Sequence, residues 1–62
     1  MGERDVREVI KRLRLDGWAF LPGKGRHVVF RKEGKPNISI PTSDKELKKG
    51  TYDDIAEKAG WK

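Results

Sequence analysis

The most constraining feature of this sequence is the absence of cysteine from a chain of only 62 residues. A chain this short is commonly stabilised by disulfides or a bound metal in addition to a small apolar core. Without cysteine neither a disulfide nor a thiolate metal site can form, and the one histidine, His27, argues against a multi-histidine metal site. We therefore expect one domain over residues 1–62 that is stabilised by packing alone, with no metal and no cofactor.

The charge balance indicates which partners to expect. Fifteen Lys and Arg against ten Asp and Glu give a net charge of +5, and the pI is about 9.8. Such a chain favours polyanionic partners, with nucleic acid as the leading candidate. No stretch approaches the ~20 apolar residues of a membrane span, and the charged start is unlike a signal sequence. We expect a soluble, cytoplasmic protein with no membrane partner.

Two segments have the apolar spacing of amphipathic helices. In the first, predicted over residues 5–16, the apolar stripe consists of Val6, Val9, Ile10 and Leu13. In the second, the stripe consists of Tyr52, Ile55, Ala56 and Ala59. Asp5 and Thr51 are the predicted N-terminal caps, and Gly17 and Gly60 are suited to end the helices.

Three short segments between the helices are rich in β-branched and aromatic residues, at positions 18–21, 27–31 and 37–40. Alternation along the last two predicts a core-facing side composed of Val28, Phe30, Ile38 and Ile40. The same alternation places His27 on the opposite side. Trp18 and Phe20 in the first segment are predicted to lie in the core, and Leu47 is predicted to reach its edge.

These elements predict an α+β fold of two layers. The order is α-β-β-β-α, with a three-stranded antiparallel sheet and both helices on one of its faces. The other face of the sheet is then free for function.

The order of elements resembles that of the double-stranded RNA-binding domain, and local sequences narrow the resemblance. They are GRHVVF at 25–30, ISIP at 38–41, KELKKGT at 45–51, Ile55 and AG at 59–60. Together, in this order, they resemble the HicA family of toxin ribonucleases over nearly the whole chain.

The resemblance implies an activity and a partner. According to this resemblance, His27 corresponds to the catalytic histidine of an endoribonuclease, an mRNA interferase that acts without a metal ion. The implied partners are mRNA and a HicB-type antitoxin that covers the histidine. The chain is then a monomer or part of a hetero-oligomer with that antitoxin.

One residue departs from the family pattern. Arg26 stands where the family often has serine, immediately before the histidine. A guanidinium at this position is able to hold a phosphate through two hydrogen bonds. The departure also leaves open that this chain is an inactive member of the family.

RNA cleavage requires activation of the ribose 2′-hydroxyl, stabilisation of charge on the phosphorus centre and protonation of the departing 5′-oxygen. Histidine suits the proton transfers, and one such group contributes about 10² to 10⁴ in rate. A single histidine supplies only one of these roles. The second role falls to Lys24, Tyr52, water or the substrate itself, and we expect a slow enzyme.

Six further residues are candidates for RNA binding. Lys24, Gly25 and Arg26 form a loop before His27 that could cradle the cleaved phosphate, although a simple turn is an equal alternative. A second group lies near the start of the second helix, where phosphate contact and a solvated charge cluster are equal alternatives; it consists of Lys45, Lys48 and Lys49.

Two other functions compete with the ribonuclease. One is a non-catalytic domain that reads double-stranded RNA by its shape. Such domains carry two lysines within the first turn of the second helix, whereas here Gly50 and Thr51 are predicted to separate Lys48 and Lys49 from the helix. The spacing from His27 to the following aromatic is also one residue shorter. The other alternative is a protein-interaction module derived from an inactive toxin.

Overall fold

Two helices and three strands follow one another in the predicted order. They are α1 (Val6–Leu15), β1 (Ala19–Pro22), β2 (His27–Arg31), β3 (Ile38–Pro41) and α2 (Lys49–Ala59). The computed structural model of the chain describes residues 2–23 and 25–61. The α+β architecture predicted from the sequence is confirmed.

The three strands form one antiparallel sheet in the order β1-β2-β3, so β2 lies in the centre. In the register, Phe30 on β2 lies opposite Phe20 on β1 and Ile38 on β3. Both outer strands end in a proline, Pro22 in β1 and Pro41 in β3.

Both helices pack on the same face of this sheet, and the core lies between the two layers. Its buried residues are Val6, Val9, Leu13, Trp18, Phe30, Ile38, Ile40, Leu47, Tyr52, Ile55, Ala56 and Ala59. The predicted apolar stripes of both helices and the predicted core side of the hairpin all contribute to it. Leu47, predicted at the edge of the core, is buried.

The N-terminal end of α1 is capped as the sequence predicts. The Asp5 carboxylate accepts hydrogen bonds from the backbone N–H groups of Arg7 (2.9 Å) and Glu8 (3.4 Å). These bonds satisfy two donors that have no partner within the helix. At the other end, Gly17 has a φ of +89°, the left-handed conformation that ends a helix without a steric penalty.

The start of α2 differs from the prediction. The helix begins at Lys49, two residues before Thr51, and the N-cap residue Lys48 makes no hydrogen bond from its side chain to the helix. The physical reason lies just before it: Leu47 is buried, and its N–H donates to the carbonyl of Arg4 at 2.8 Å. Tertiary packing therefore sets the start of this helix in place of a side-chain cap.

The prediction for the first strand is correct for one aromatic residue and wrong for the other. Trp18 is buried but precedes β1, which begins at Ala19. Phe20 is 42% exposed because it lies on an outer strand, where only one neighbouring strand covers it. Its ring still contacts Phe30 edge-to-face, with 5.6 Å between the centroids.

Within residues 2–23 and 25–61, neither helix has the length and apolar character needed to cross a membrane.

Candidate functional site

His27 is the first residue of β2, and its side chain is exposed. Since Phe30 points into the core and side chains alternate along a strand, His27 and Val29 point to the face that carries no helix. This is the position that alternation in the sequence predicts. The only imidazole of the chain is therefore presented to solvent from the central strand.

The backbone of His27 is flanked on both sides, by the residue after β1 and by β3. On one side, its carbonyl oxygen accepts a hydrogen bond from the N–H of Gly23 at 3.2 Å. On the other side, His27 lies in register with Pro41 of β3. The exposed ring thus projects from a backbone that pairing restrains on both sides.

Gly23 reaches His27 so closely that a larger residue does not fit. A Cβ atom at position 23 would lie 2.8 Å from the carbonyl oxygen of His27 and 3.2 Å from its carbonyl carbon. The obstacle is backbone, which cannot rotate aside as a flexible side chain can. Close approach of the chain is therefore the reason for glycine here.

Substitution of this glycine gives a testable consequence. Gly23→Ala is expected to lower the free energy of unfolding by about 1–3 kcal/mol, because the added methyl group displaces one of the two paired segments. Gly50→Ala is a matched control: it lies in the first turn of α2, and an added Cβ would have no atom within 4 Å. That change should stabilise by about 0.5–1 kcal/mol. Urea denaturation measures both, and equal shifts would contradict the account.

The residue before the histidine ties two loops together. The carbonyl of Arg26 accepts hydrogen bonds from both the backbone N–H (2.7 Å) and the hydroxyl (2.9 Å) of Thr42. Thr42 is the first residue after β3. The segment that joins β3 to α2 therefore starts in contact with the loop that precedes His27. The Arg26 side chain is exposed.

Sequence reasoning did not identify Thr42 as a site residue. It lies 16 residues from Arg26, and a threonine after a strand end has many uses. Pro41 pairs with His27, which puts Thr42 opposite Arg26. Thr42 could therefore be identified from the sequence only if the register of β2 and β3 were known.

The predicted RNA-binding residues fall into two places. Gly25, with a φ of +66°, and Arg26 lie in the exposed loop before His27. Lys45, Lys48 and Lys49 are exposed along the segment that runs from Thr42 into α2. Lys24 was also a predicted site residue, and it lies outside the described residues.

The start of α2 has the electrostatic character of an anion site. Lys48 is the N-cap and makes no hydrogen bond from its side chain to the helix, Lys49 is the first helical residue, and the first turn contains no acidic residue. The positive end of the helix dipole and the ammonium groups therefore act in the same direction.

This position of the lysines corrects one sequence argument. Gly50 and Thr51 were predicted to separate Lys48 and Lys49 from the helix, as a distinction from double-stranded RNA-binding domains. Both follow Lys49 inside α2, so the distinction is wrong. Its cause is the misplaced helix start, which followed the cap signal of Thr51.

Comparison with known protein families identifies the family of this chain. A family model described as the HicA toxin of bacterial toxin–antitoxin systems matches residues 6–61. The chain belongs to the HicA toxin family. The match spans both helices and the whole sheet. No curated protein matches the chain.

Membership of the HicA family implies that an antitoxin partner exists, and HicA toxins are generally of the ribonuclease type. In this HicA chain, Tyr52 is buried in the core on the helix side of the sheet, away from the face to which His27 points. Tyr52, a candidate from the sequence for a second proton-transfer group, therefore contributes its side chain to the core.

Proposed function

We propose that this HicA chain is a ribonuclease that binds and cleaves mRNA, with His27 as its catalytic residue and without a metal ion. The observation that carries the proposal is the exposed His27 on a restrained backbone, next to Arg26. Among the described residues, no group of three or more His, Cys, Asp or Glu side chains could hold a metal ion.

The role of His27 follows from what the reaction needs. The ring moves a proton at the 2′-hydroxyl or at the departing 5′-oxygen, and Arg26 supplies positive charge beside the phosphate during the reaction. Because the imidazole projects from the central strand, it meets a substrate with little loss of conformational freedom. With one imidazole present, the remaining proton transfer falls to Lys24, water or the RNA, and turnover is slow.

RNA binding uses the cations that flank this site. Arg26 contacts phosphate at the loop, and the uncapped start of α2 with Lys48 and Lys49 holds another phosphate of the same strand. Lys45 lies between them along the chain. Neutralised phosphates release counterions, so affinity must fall steeply as salt is raised.

The antitoxin partner is proposed to be of the HicB type and to act by covering the sheet face that carries His27. This face has no helix over it, and it includes the half-buried Val29 and the 39% exposed Leu21. Covering these apolar side chains contributes binding free energy while the imidazole is withheld from RNA.

The RNA-binding part is tested by the salt dependence of affinity. Lys48→Ala should reduce the slope of log affinity against log salt by about 0.7–1 unit, the value expected for one lost phosphate contact. The matched control is Lys58→Ala on the same helix. Lys58 pairs with Asp54 at 3.0 Å in the last turn, so its removal should leave the slope nearly unchanged. Equal slopes for Lys48→Ala and the unaltered chain would show that Lys48 does not contact an RNA phosphate.

One observation favours a second candidate, a non-catalytic RNA-binding domain. Lys49 lies in the first turn of α2 and Lys48 immediately before it, which supports RNA binding with or without cleavage. The two functions separate on replacement of His27, because only the ribonuclease loses its activity.

A further inference from the structure

A groove lies between α1 and the segment that joins β3 to α2. Its volume is about 510 Å³, within the range of roughly 300–1,000 Å³ that small-ligand sites occupy. The lining combines apolar, cationic, acidic and hydroxyl side chains, and consists of Asp5, Val6, Arg7, Ile10, Thr42, Ser43, Asp44 and Lys45.

The wall of this groove is fixed at both ends by hydrogen bonds to backbone carbonyl groups. At one end, Thr42 donates twice to the carbonyl of Arg26. At the other end, the N–H of Val6 donates to the carbonyl of Lys45 at 2.9 Å, and the N–H of Leu47 donates to Arg4. The groove is therefore formed before any ligand arrives, which lowers the entropic cost of binding.

Three charged side chains at the groove lack internal partners. Within residues 2–23 and 25–61, the side chains of Arg7, Asp44 and Lys45 take part in none of the ion pairs or side-chain hydrogen bonds. The Asp5 carboxylate, by contrast, is used as the cap of α1. No donor among the described residues occupies the acceptor oxygens of Asp44, and the groove that Asp44 lines is also lined by the cations Arg7 and Lys45.

We propose that this groove binds one unpaired base of a single-stranded RNA, with Asp44 selecting a base that carries an amino group. The inference rests on the proposed ribonuclease function and adds to it a subsite and a substrate class. Thr42, which lines the groove, is hydrogen-bonded to the loop that precedes His27, so the bound base belongs to the same RNA strand that reaches this loop.

The chemistry of the lining matches such a base. The guanidinium plane of Arg7 stacks on the base, and Ile10 supplies apolar contact beneath it. A carboxylate only accepts hydrogen bonds, so Asp44 favours adenine and cytosine, whose exocyclic amino groups donate; uracil has no amino group, and its one edge donor, N3–H, lies between two carbonyl oxygens that the carboxylate repels. The Asp44 carboxylate would repel phosphate groups and so weaken RNA binding if it served only as a surface charge. Its position in the groove is better explained by contact with an uncharged base. A paired base has its edge occupied and cannot enter.

The test measures binding of 2′-O-methyl oligonucleotides, which lack the free 2′-hydroxyl needed for cleavage, to the full chain. Oligo(A) and oligo(C) should bind about tenfold more tightly than oligo(U), and the A·U duplex should bind less tightly than oligo(A) alone. Asp44→Ala should bring the three single strands to similar affinities. Glu57→Ala, which removes an exposed carboxylate from α2, should preserve the tenfold ratio.

The outcomes separate this inference from the proposed function. Equal affinities of the unaltered chain for the three single strands, or a ratio that survives Asp44→Ala, would overturn base recognition in the groove while RNA binding stands. Tighter binding of the duplex would overturn the choice of single-stranded RNA. No binding to any oligonucleotide would overturn both the inference and the RNA-binding part of the proposed function.

Discussion

Replacing His27 with alanine is expected to lower RNA cleavage by about 10²- to 10⁴-fold, the contribution of one positioned group that transfers a proton. The measurement is the rate at which purified chain degrades RNA in the presence of EDTA, so that contaminating metal-dependent nucleases do not contribute. In cells, the same substitution should relieve growth arrest and preserve RNA.

The fold should be unaffected by this change, because the His27 side chain is exposed and the hydrogen bond to Gly23 uses only the backbone carbonyl. Thermal unfolding of His27→Ala should therefore match that of the unaltered chain. Ser39→Ala serves as a control: it removes an exposed side chain from the same face of the neighbouring strand and should leave cleavage nearly intact. Cleavage that persists in His27→Ala would move the catalytic role to another residue.

Phe30→Ala is expected to remove most of the stability of the fold. Phe30 is fully buried on the central strand, between Phe20 and Ile38. Deleting a buried phenylalanine ring costs about 3–5 kcal/mol. A chain of this length has only about 3–9 kcal/mol of total stability. We expect this variant to be largely unfolded at 37 °C and to lose RNA binding as a consequence.

Phe20→Ala is the matched control, since the two rings are partners across β1 and β2. Phe20 is 42% exposed, and its loss should cost only about 1–2 kcal/mol, mainly from the edge-to-face contact and partial burial. Circular dichroism during urea denaturation measures both changes. Similar losses for the two phenylalanines would contradict the assignment of the core to the helix side of a three-stranded sheet.

The two layers of this fold could be predicted from the sequence because the spacing of apolar residues in the helices and strands is regular and consistent. The stripe of α1 and the alternation of β2 and β3 each placed their apolar residues correctly, and Asp5 was identified as a cap. The start of α2 was wrong because burial of Leu47 overrides local capping preferences. Phe20 was wrong because the sequence does not say which strand lies at the edge.

The face on which His27 lies was predictable, since it depends only on alternation along one strand. The surroundings of His27 were not, because they depend on contacts between distant segments. The double hydrogen bond from Thr42 to Arg26 and the close approach of Gly23 both require the strand register. Composition marked residues 22–25 as a turn but gave no reason for a glycine at position 23.

The prolines that end both outer strands, Pro22 and Pro41, have a consequence for how copies of the chain meet each other. A small sheet with two open edges is prone to join with another sheet edge, which leads to aggregation. Proline has no N–H to donate, so neither edge can extend its ladder of hydrogen bonds through these positions. Both prolines lie at the end of the sheet that carries His27. That end therefore resists self-association through its strand edges.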